Sequence, residues 1–326
     1  AEVTNLHNSP EALRTTRARV EMTTGSHHMQ TYWAATGRGN ELQQIPWYYH
    51  ILEQRWIPAE DSYLVSPDTQ HTPVTWNTVC IVCHSVRGRP LPDSETGFPS
   101  SDVVELGIAC EACHGPAEQH IRKYRESPVH VGRDGEETLI INPARLSHRH
   151  SSEVCGQCHS TFSPPDTDDW LQHGYRFRPG KKTLIGTHNL VRYEHYQGVA
   201  TDLGFDTFWG DGTQRVGGRE YTAMIESACF QRGELSCLSC HSMHDSDPND
   251  QLAEHLMGDQ SCLQCHESYG EKVEEHTHHP AHSSGSKCSN CHMSHTSYAL
   301  FKAIRSHRID SPSAAISKQT GRPNAC

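Results

Sequence analysis

The chain has 326 residues, a formal net charge of −11 and 34% hydrophobic residues, where an ordinary globular domain has about 45–50% apolar residues with glycine counted. The acidic balance argues against nucleic-acid binding, and no apolar run reaches the roughly 18–20 residues that a bilayer-spanning helix needs. The 14 cysteines and 26 histidines are in excess, and this pairing indicates metal binding rather than a disulfide scaffold.

The first segment, residues 1–79, predicts a small β-element that supplies metal ligands. Its aromatic and branched residues are interrupted by Gly and Pro, which favours two or three short strands. The stretch GSHHMQTYW contains the adjacent residues His27 and His28, which can face two different metal ions. The opening AEVTNLHNSP lacks the pattern of a signal peptide, so we expect a start left by processing or truncation.

From residue 80 onward, twelve cysteines form six C-x-x-C pairs, each followed at once by histidine. Random placement predicts roughly 0.05 such motifs in a chain of this composition. C-x-x-C-H is the attachment signature of c-type haem: each sulfur forms a thioether with a haem vinyl group, and the histidine is the proximal iron ligand. The predicted attachment cysteines are Cys80, Cys83, Cys110, Cys113, Cys155, Cys158, Cys237, Cys240, Cys262, Cys265, Cys288 and Cys291. The predicted proximal ligands are His84, His114, His159, His241, His266 and His292.

Two other interpretations of the cysteine pairs are weaker. Six pairs could make three four-cysteine zinc sites, but such sites do not require a histidine after every pair. Disulfides between cysteines three residues apart make redox motifs rather than scaffolds, and six copies with histidine would be unusual. Covalent haem also accounts for the low apolar content, because each porphyrin is a large apolar disc that fills core volume.

The motifs divide the rest of the chain into three segments. Residues 80–160 hold three motifs, and residues 161–236 form a long insertion in which Asp211-Gly212 and Gly217-Gly218 predict β-hairpins. Residues 237–326 hold three motifs at spacings of 25 and 26 residues, and the terminal Cys326 could belong to a partial seventh. The predicted fold class is therefore a mostly irregular chain, with short α-helices and a few short β-hairpins, wrapped around a stack of covalent haems.

Six proximal ligands leave 20 of the 26 histidines for other roles, and some are expected on the distal side of an iron. His244 and His295 each follow a proximal histidine by three residues, too close to reach the far face of the same iron, so we expect each to serve a neighbouring haem. His120 follows a Gly-Pro break and is expected to do the same. The predicted distal ligands are His27, His28, His120, His244, His279, His295 and His307.

The stretches GSHHMQTYW, GIACEACHGP, VCGQCHS, ELSCLSCHSMH and CSNCHMSHTSY resemble a large bacterial family of multihaem c-type cytochromes, whose full-length members carry about eight haems. The resemblance covers about residues 22–326. It implies covalent haem, export from the cytoplasm and electron transfer, and it places His27, His28, His120, His244, His295 and His307 at positions that match the family's motifs. It implies no substrate.

Three functions follow from these motifs. The first is a discrete electron carrier with bis-histidine haems, which leave no open iron position. The second is a subunit of an extracellular cytochrome filament, a nanowire. The third is an oxidoreductase acting on a small nitrogen or sulfur compound, which needs one haem with an open face beside acid–base residues.

The predicted cofactors are six covalent haem c groups, with a seventh at Cys326 if that residue also carries one. Haem attachment takes place outside the cytoplasm, so the expected location is the periplasm or the cell exterior. The expected partners are redox proteins or other copies of the chain, with no nucleic acid and no transmembrane segment.

Overall fold

The computed structural model describes residues 2–5, 14–62, 74–126, 139–193, 207–244, 247 and 250–325, with the backbone alone for residues 2–5 and 14–16. Within these ranges the strands are β1 Glu2–Asn5, β2 Arg14–Arg17, β3 Met22–Thr24, β4 Met29–Ala35, β5 Leu42–His50, β6 Arg55–Pro58, β7 Ser85–Val86, β8 Glu105–Leu106, β9 Phe162–Ser163, β10 Asn189–Leu190, β11 His295–Ala299 and β12 Lys302–Arg305.

The α-helices in the same ranges are short. They are α1 Cys110–His114, α2 Glu118–Glu126, α3 His148–His159, α4 Thr167–His173, α5 Glu220–Met224, α6 Ala228–Arg232, α7 Gln260–Leu263, α8 Val273–Thr277, α9 Cys288–His292 and α10 Ala314–Thr320. Single 3-10 turns cover Ala59–Ser62, Cys80–Val82, Pro143–Arg145, Cys237–Ser239, Glu254–Leu256, Glu267–Tyr269 and Ser284–Ser286. Short helices and small antiparallel sheets in a mostly irregular chain confirm the predicted fold class.

The chain forms two compact units, and the first contains residues 1–62, 70–108 and 166–175. Its largest element is an antiparallel sheet with the order β3-β4-β5-β6, located where the sequence predicts a small β-element. Trp33, Trp76 and Ile81 form its buried core. Ile81 lies between the two cysteines of the first motif, so this core fixes that motif directly.

The second unit contains residues 63–69, 109–165 and 176–326. Its core packs Val154, Phe177, Leu184, Tyr221 and Phe230 together with Met224 and Ile225. In the segment 161–236, β9 pairs with β10, and an antiparallel bridge joins Phe208 to Gln214 around the Asp211-Gly212 turn. Among the described residues of the whole chain, no helix is both long and apolar enough to cross a membrane.

Side-chain caps begin several of the short helices. The hydroxyls of Ser147, Ser227 and Ser313 accept hydrogen bonds from the backbone N–H three residues later, at the starts of α3, α6 and α10. A capping hydroxyl satisfies a backbone donor that a helix start leaves unpaired, and replacing it with alanine costs about 1 kcal/mol. The caps therefore define helices that are too short to be stable through intrinsic propensity.

Gly156 lies in the middle of α3, where the helix packs against the core of the second unit. A Cβ atom at this position would come within 2.9 Å of the Leu184 and Tyr221 side chains. The helix therefore approaches α5 closely only because residue 156 has no side chain, and this contact places the last turn of α3 beside α5.

We expect Gly156→Ala to destabilise the haem-loaded protein by about 1–3 kcal/mol, because an added methyl group overpacks a filled core. Gly186→Ala is the matched control: the nearest atom to a Cβ there lies at 3.5 Å, an ordinary contact. Thermal unfolding followed by circular dichroism measures both. Equal stability of the two variants would contradict the tight packing of α3 on α5.

Candidate functional site

All six C-x-x-C-H motifs adopt a helical turn. Motif 2 (residues 110–114) is α1 and motif 6 (residues 288–292) is α9. Motif 3 (residues 155–159) ends α3, and motif 5 (residues 262–266) overlaps α7. The 3-10 turns at Cys80–Val82 and Cys237–Ser239 open motif 1 (residues 80–84) and motif 4 (residues 237–241). Residues three apart lie on the same side of such a turn, so both cysteines of each motif can bond one porphyrin edge.

The histidine of four motifs is anchored through its Nδ1 atom. Nδ1 of His114 lies 2.6 Å from the Ile141 carbonyl oxygen, that of His241 lies 3.1 Å from Asp250 O, and that of His292 lies 3.0 Å from Asp310 O.

The fourth anchor is different in kind: Nδ1 of His159 lies 2.9 Å from Oε2 of the Glu220 carboxylate. Metal-bound histidines almost always donate their second ring N–H in this way. These four side chains are therefore oriented to present Nε2 to a metal ion.

Three of the motif histidines face a second imidazole at a nearly constant distance. The ring centroids of His114 and His244 are 6.1 Å apart with an interplanar angle of 8°. The rings of His241 and His307 are 6.1 Å apart at 24°. The rings of His276 and His292 are 6.2 Å apart at 9°.

This separation is too long for direct ring stacking and fits one metal ion between two imidazoles. An imidazole nitrogen lies about 2 Å from a bound metal ion, so two axial ligands place their ring centroids about 6 Å apart. The residues of these three pairs therefore fit haem iron as proximal and distal ligands. In each pair, one member follows the second cysteine of a motif.

Two predicted distal ligands, His244 and His307, are thus placed opposite motif histidines. His244 faces motif 2, and His307 faces motif 4. His276 faces motif 6, although the sequence analysis selected His279 from the same cluster, HTHHPAH. His276 lies in α8, whereas His279 lies beyond the helix end and packs against Gly285. Nothing local in the sequence distinguishes these two histidines.

The other predicted distal ligands have different surroundings. In the first unit, Nδ1 of His27 lies 2.8 Å from the Ser26 hydroxyl, and the His28 ring contacts His50 edge-on at 4.8 Å. His295 lies in β11 opposite Arg305. Burial, followed by the charges of Arg305 and Lys302, lowers the pKa of His295. Cys326 lies outside the described residues.

Two imidazole nitrogens are buried without a hydrogen-bond partner within the described part of the chain: Nδ1 of His120 and Nε2 of His148. His120 contacts Tyr124 in α2. His148 begins α3 and contacts Phe230. A buried polar atom without a partner is costly, and coordination of a metal ion would relieve that cost. His148 is not among the predicted ligands, and its one signal in the sequence is its place seven residues before Cys155.

Successive motifs are joined by a repeated glutamine contact. Nε2 of Gln157, in motif 3, donates to Ala112 O of motif 2 at 2.9 Å and to Val154 O at 2.7 Å. Nε2 of Gln264, in motif 5, donates to Ser239 O of motif 4 at 2.9 Å and to Ser261 O at 2.8 Å. Each glutamine is the third residue of its motif and donates to the third residue of the preceding motif and to the residue three positions before itself. Motifs 2 and 3 therefore pair in the same way as motifs 4 and 5.

The thiols of motifs 2, 3 and 4 are also close to one another. Burial, and then the neighbouring Cys155, raises the pKa of Cys113. The Cys155 and Cys237 thiols lie close enough to interact, which raises the pKa of Cys155 and lowers that of Cys237. Motif 3 therefore lies next to both motif 2 and motif 4.

The same holds for motifs 4, 5 and 6. Burial, followed by Cys262, raises the pKa of Cys240 to about 11. Burial, Asp259 and Cys262 raise the pKa of Cys288 to about 12. The Asp259 carboxylate also accepts a hydrogen bond of 2.8 Å from the Cys288 backbone N–H. Motifs 2 to 6 therefore form one unbroken series within the second unit.

Large apolar side chains lie exposed beside the motifs. Val79 precedes motif 1, Met243 follows motif 4 and Tyr269 follows motif 5, and each is at least 45% exposed. These side chains fit the apolar faces of attached porphyrins.

The fold and these sites support the class that the sequence predicted, a multihaem c-type cytochrome. The family model for a doubled CXXCH motif matches residues 228–271, which span motifs 4 and 5. The solved structure of the outer cell wall cytochrome OcwA is similar to this chain, with a TM-score of 0.60 and 19% identity over 92% of this chain and 69% of OcwA. No curated protein matches the chain by sequence.

We expect Gln157→Met to destabilise the haem-loaded protein by about 1–2 kcal/mol, because it removes two hydrogen bonds at a half-buried position. Gln264→Met removes the equivalent bonds at an exposed position, so we expect about 0.5 kcal/mol. Gln260→Met, also exposed, in the neighbouring turn, is the control. Denaturant unfolding ranks the three variants, and a Gln157 variant no weaker than the control would refute the pairing contact.

Proposed function

We propose that this chain carries electrons through bis-histidine haems in periplasmic or extracellular respiration. The observation that carries the proposal is the set of three imidazole pairs, His114–His244, His241–His307 and His276–His292, with ring centroids 6.1–6.2 Å apart. Haem c bound at these residues supplies reversible one-electron chemistry at iron.

Two imidazoles on one iron leave no coordination position for a substrate. Catalysis on a small nitrogen or sulfur compound requires such a position, so these three centres favour electron transfer over that alternative. With haem bound, the two histidines of each pair would remain its iron ligands in both oxidation states. Little reorganisation then accompanies electron transfer, which suits a carrier.

The contacts between motifs support a path along the chain. Motifs 2 to 6 lie in one series within the second unit, joined by the Gln157 and Gln264 contacts and by neighbouring thiols. A series of covalently fixed cofactors allows short electron-transfer steps from one end of the unit to the other.

The remaining motif histidines, His84, His159 and His266, also need distal ligands in a fully bis-histidine protein. We propose His148 and His120 for the second unit, because each has a buried ring nitrogen without a partner in the described residues. His27 and His28 remain the proposed ligands in the first unit. For the whole chain we propose six haem c groups, with a seventh if Cys326 carries one.

The proposed location is outside the cytoplasm, because covalent attachment of haem c occurs there. The similar structure is titled an outer cell wall cytochrome, which supports an exported role for this chain. The proposed partners are redox proteins that donate and accept the electrons. Assembly of copies into a filament remains the alternative that electron microscopy of the native protein decides.

The pairing of motif 6 gives the sharpest test of this proposal. We expect His276→Gln to convert about one haem per chain to a high-spin state that binds carbon monoxide when reduced, because the iron loses its sixth ligand. We expect His279→Gln, three residues away, to keep every haem low-spin. Visible spectroscopy with carbon monoxide titration measures both variants.

The haem content by pyridine haemochrome assay must stay equal in the two variants, so that ligand loss is separated from loss of haem. The reverse outcome, with high-spin haem in the His279 variant alone, would assign the distal position to His279. Carbon monoxide binding to every haem of the unmodified protein would overturn the electron-carrier proposal.

A further inference from the structure

Among the four motif histidines with an Nδ1 anchor in the described residues, His159 differs from the other three in what holds it. Nδ1 of His114, His241 and His292 is anchored by a neutral backbone carbonyl, whereas Nδ1 of His159 is anchored by the Glu220 carboxylate at 2.9 Å. The contact spans 61 residues of sequence and joins the end of α3 to the start of α5.

The carboxylate is fixed by the surrounding backbone. The Gly218 N–H donates to Oε1 of Glu220 at 2.7 Å, while Oε2 faces His159. Arg219 donates to the Cys158 carbonyl oxygen at 3.0 Å and ties the same turn to motif 3. The Glu220 side chain is only 25% exposed. Its charge is therefore placed permanently beside this ring.

The two donors that face Glu220, the His159 ring N–H and the Gly218 backbone N–H, both favour the charged form of a carboxylate. The carboxylate also lies near the His307 ring. The proximity to His307 matters separately, because His307 faces His241 of motif 4. The same carboxylate thus lies in contact with one motif and near the distal side of the next.

A carboxylate beside a ligating imidazole makes the imidazole a stronger electron donor. Ferric haem carries one more positive charge than ferrous haem, and addition of one electron removes that charge. A fixed negative charge therefore stabilises the ferric form more than the ferrous form. A neutral carbonyl oxygen has a much weaker effect.

We propose that Glu220 sets a low reduction potential at the haem held by motif 3, below those of haems whose proximal histidine is anchored by a backbone carbonyl. This inference rests on the proposed function, since it requires haem at Cys155, Cys158 and His159. Motif 3 lies between motifs 2 and 4 in the series. An electron that passes along the series would therefore meet one haem that is harder to reduce than its two neighbours. Glu220 is a positioning residue, because it acts through His159.

The test is a spectroelectrochemical titration of the haem-loaded protein and of its Glu220→Gln variant. Glutamine keeps a hydrogen-bond acceptor but removes the charge. We expect the reduction equilibrium constant of one haem to rise about tenfold, which is about 59 mV for a one-electron couple. We expect a second haem, that of motif 4, to shift in the same direction by a smaller factor.

Glu226→Gln is the matched control. Glu226 is 29% exposed, and its carboxylate pairs with Arg308 at 2.6 Å. The variant removes the same charge from the same unit at a similar depth. We expect no couple to shift by more than about threefold, since the Glu226 carboxylate bonds Arg308 and not a motif histidine, and charges that are not in contact with a ligand are screened. Equal shifts in the two variants, or no shift in the Glu220 variant, would overturn the inference.

Mass spectrometry of the peptide that contains Cys155 and Cys158 distinguishes failure of the proposed function from failure of the proposed role of Glu220. A peptide without haem overturns the proposed function at motif 3, whereas a loaded peptide with an unchanged potential overturns only the role of Glu220. If the Glu220 variant does not load haem, the role of Glu220 is tested on the unmodified protein instead. Its redox-induced infrared difference spectrum must then show a carboxylate band that changes at the lowest potential, and an unchanged carboxylate region overturns the inference.

Discussion

The proposed arrangement depends on one interaction, in which a pair of opposed imidazoles would hold haem iron between them. Three pairs stand at 6.1–6.2 Å, and their rings are 8°, 24° and 9° from parallel. In every pair the two histidines come from different turns of the chain. Haem iron bound between them would therefore act as a cross-link, and in a chain with 34% hydrophobic residues such cross-links would take over part of the role of a core.

The cross-links also connect the motifs to one another. His244 lies three residues after His241, yet it faces His114 of motif 2. In the proposed function, motif 4 would thus supply a proximal ligand for one haem, and the residues after it would supply a distal ligand for another. The glutamine contacts also join adjacent motifs directly, motif 3 to motif 2 and motif 5 to motif 4. Structure and electron path are consequently fixed by the same residues.

The sequence predicts the attachment points from local chemistry alone. Two cysteines three residues apart and a following histidine form one helical turn, and no distant residue is needed to recognise them. The mostly irregular fold follows from the same motifs and from the low apolar content. The sequence also predicts that His244 serves another haem, because three residues are too few to reach across one iron.

The distal ligands are harder to predict because they depend on how distant turns meet. His276 and His279 are equivalent in the sequence, and only the course of α8 places His276 opposite His292. Glu220 carries no signal for motif 3, since 61 residues separate it from His159 and the contact exists only through the packing of α3 on α5. His148 is marked by its buried nitrogen and not by its neighbours in sequence.

Near-infrared magnetic circular dichroism of the oxidised protein tests the central claim most directly, because bis-histidine haem has a charge-transfer band distinct from those of histidine–methionine and high-spin haem. The spectrum is calibrated against the haem content of the same sample. The account predicts bis-histidine intensity for at least three haems per chain. Intensity for fewer than three would contradict it.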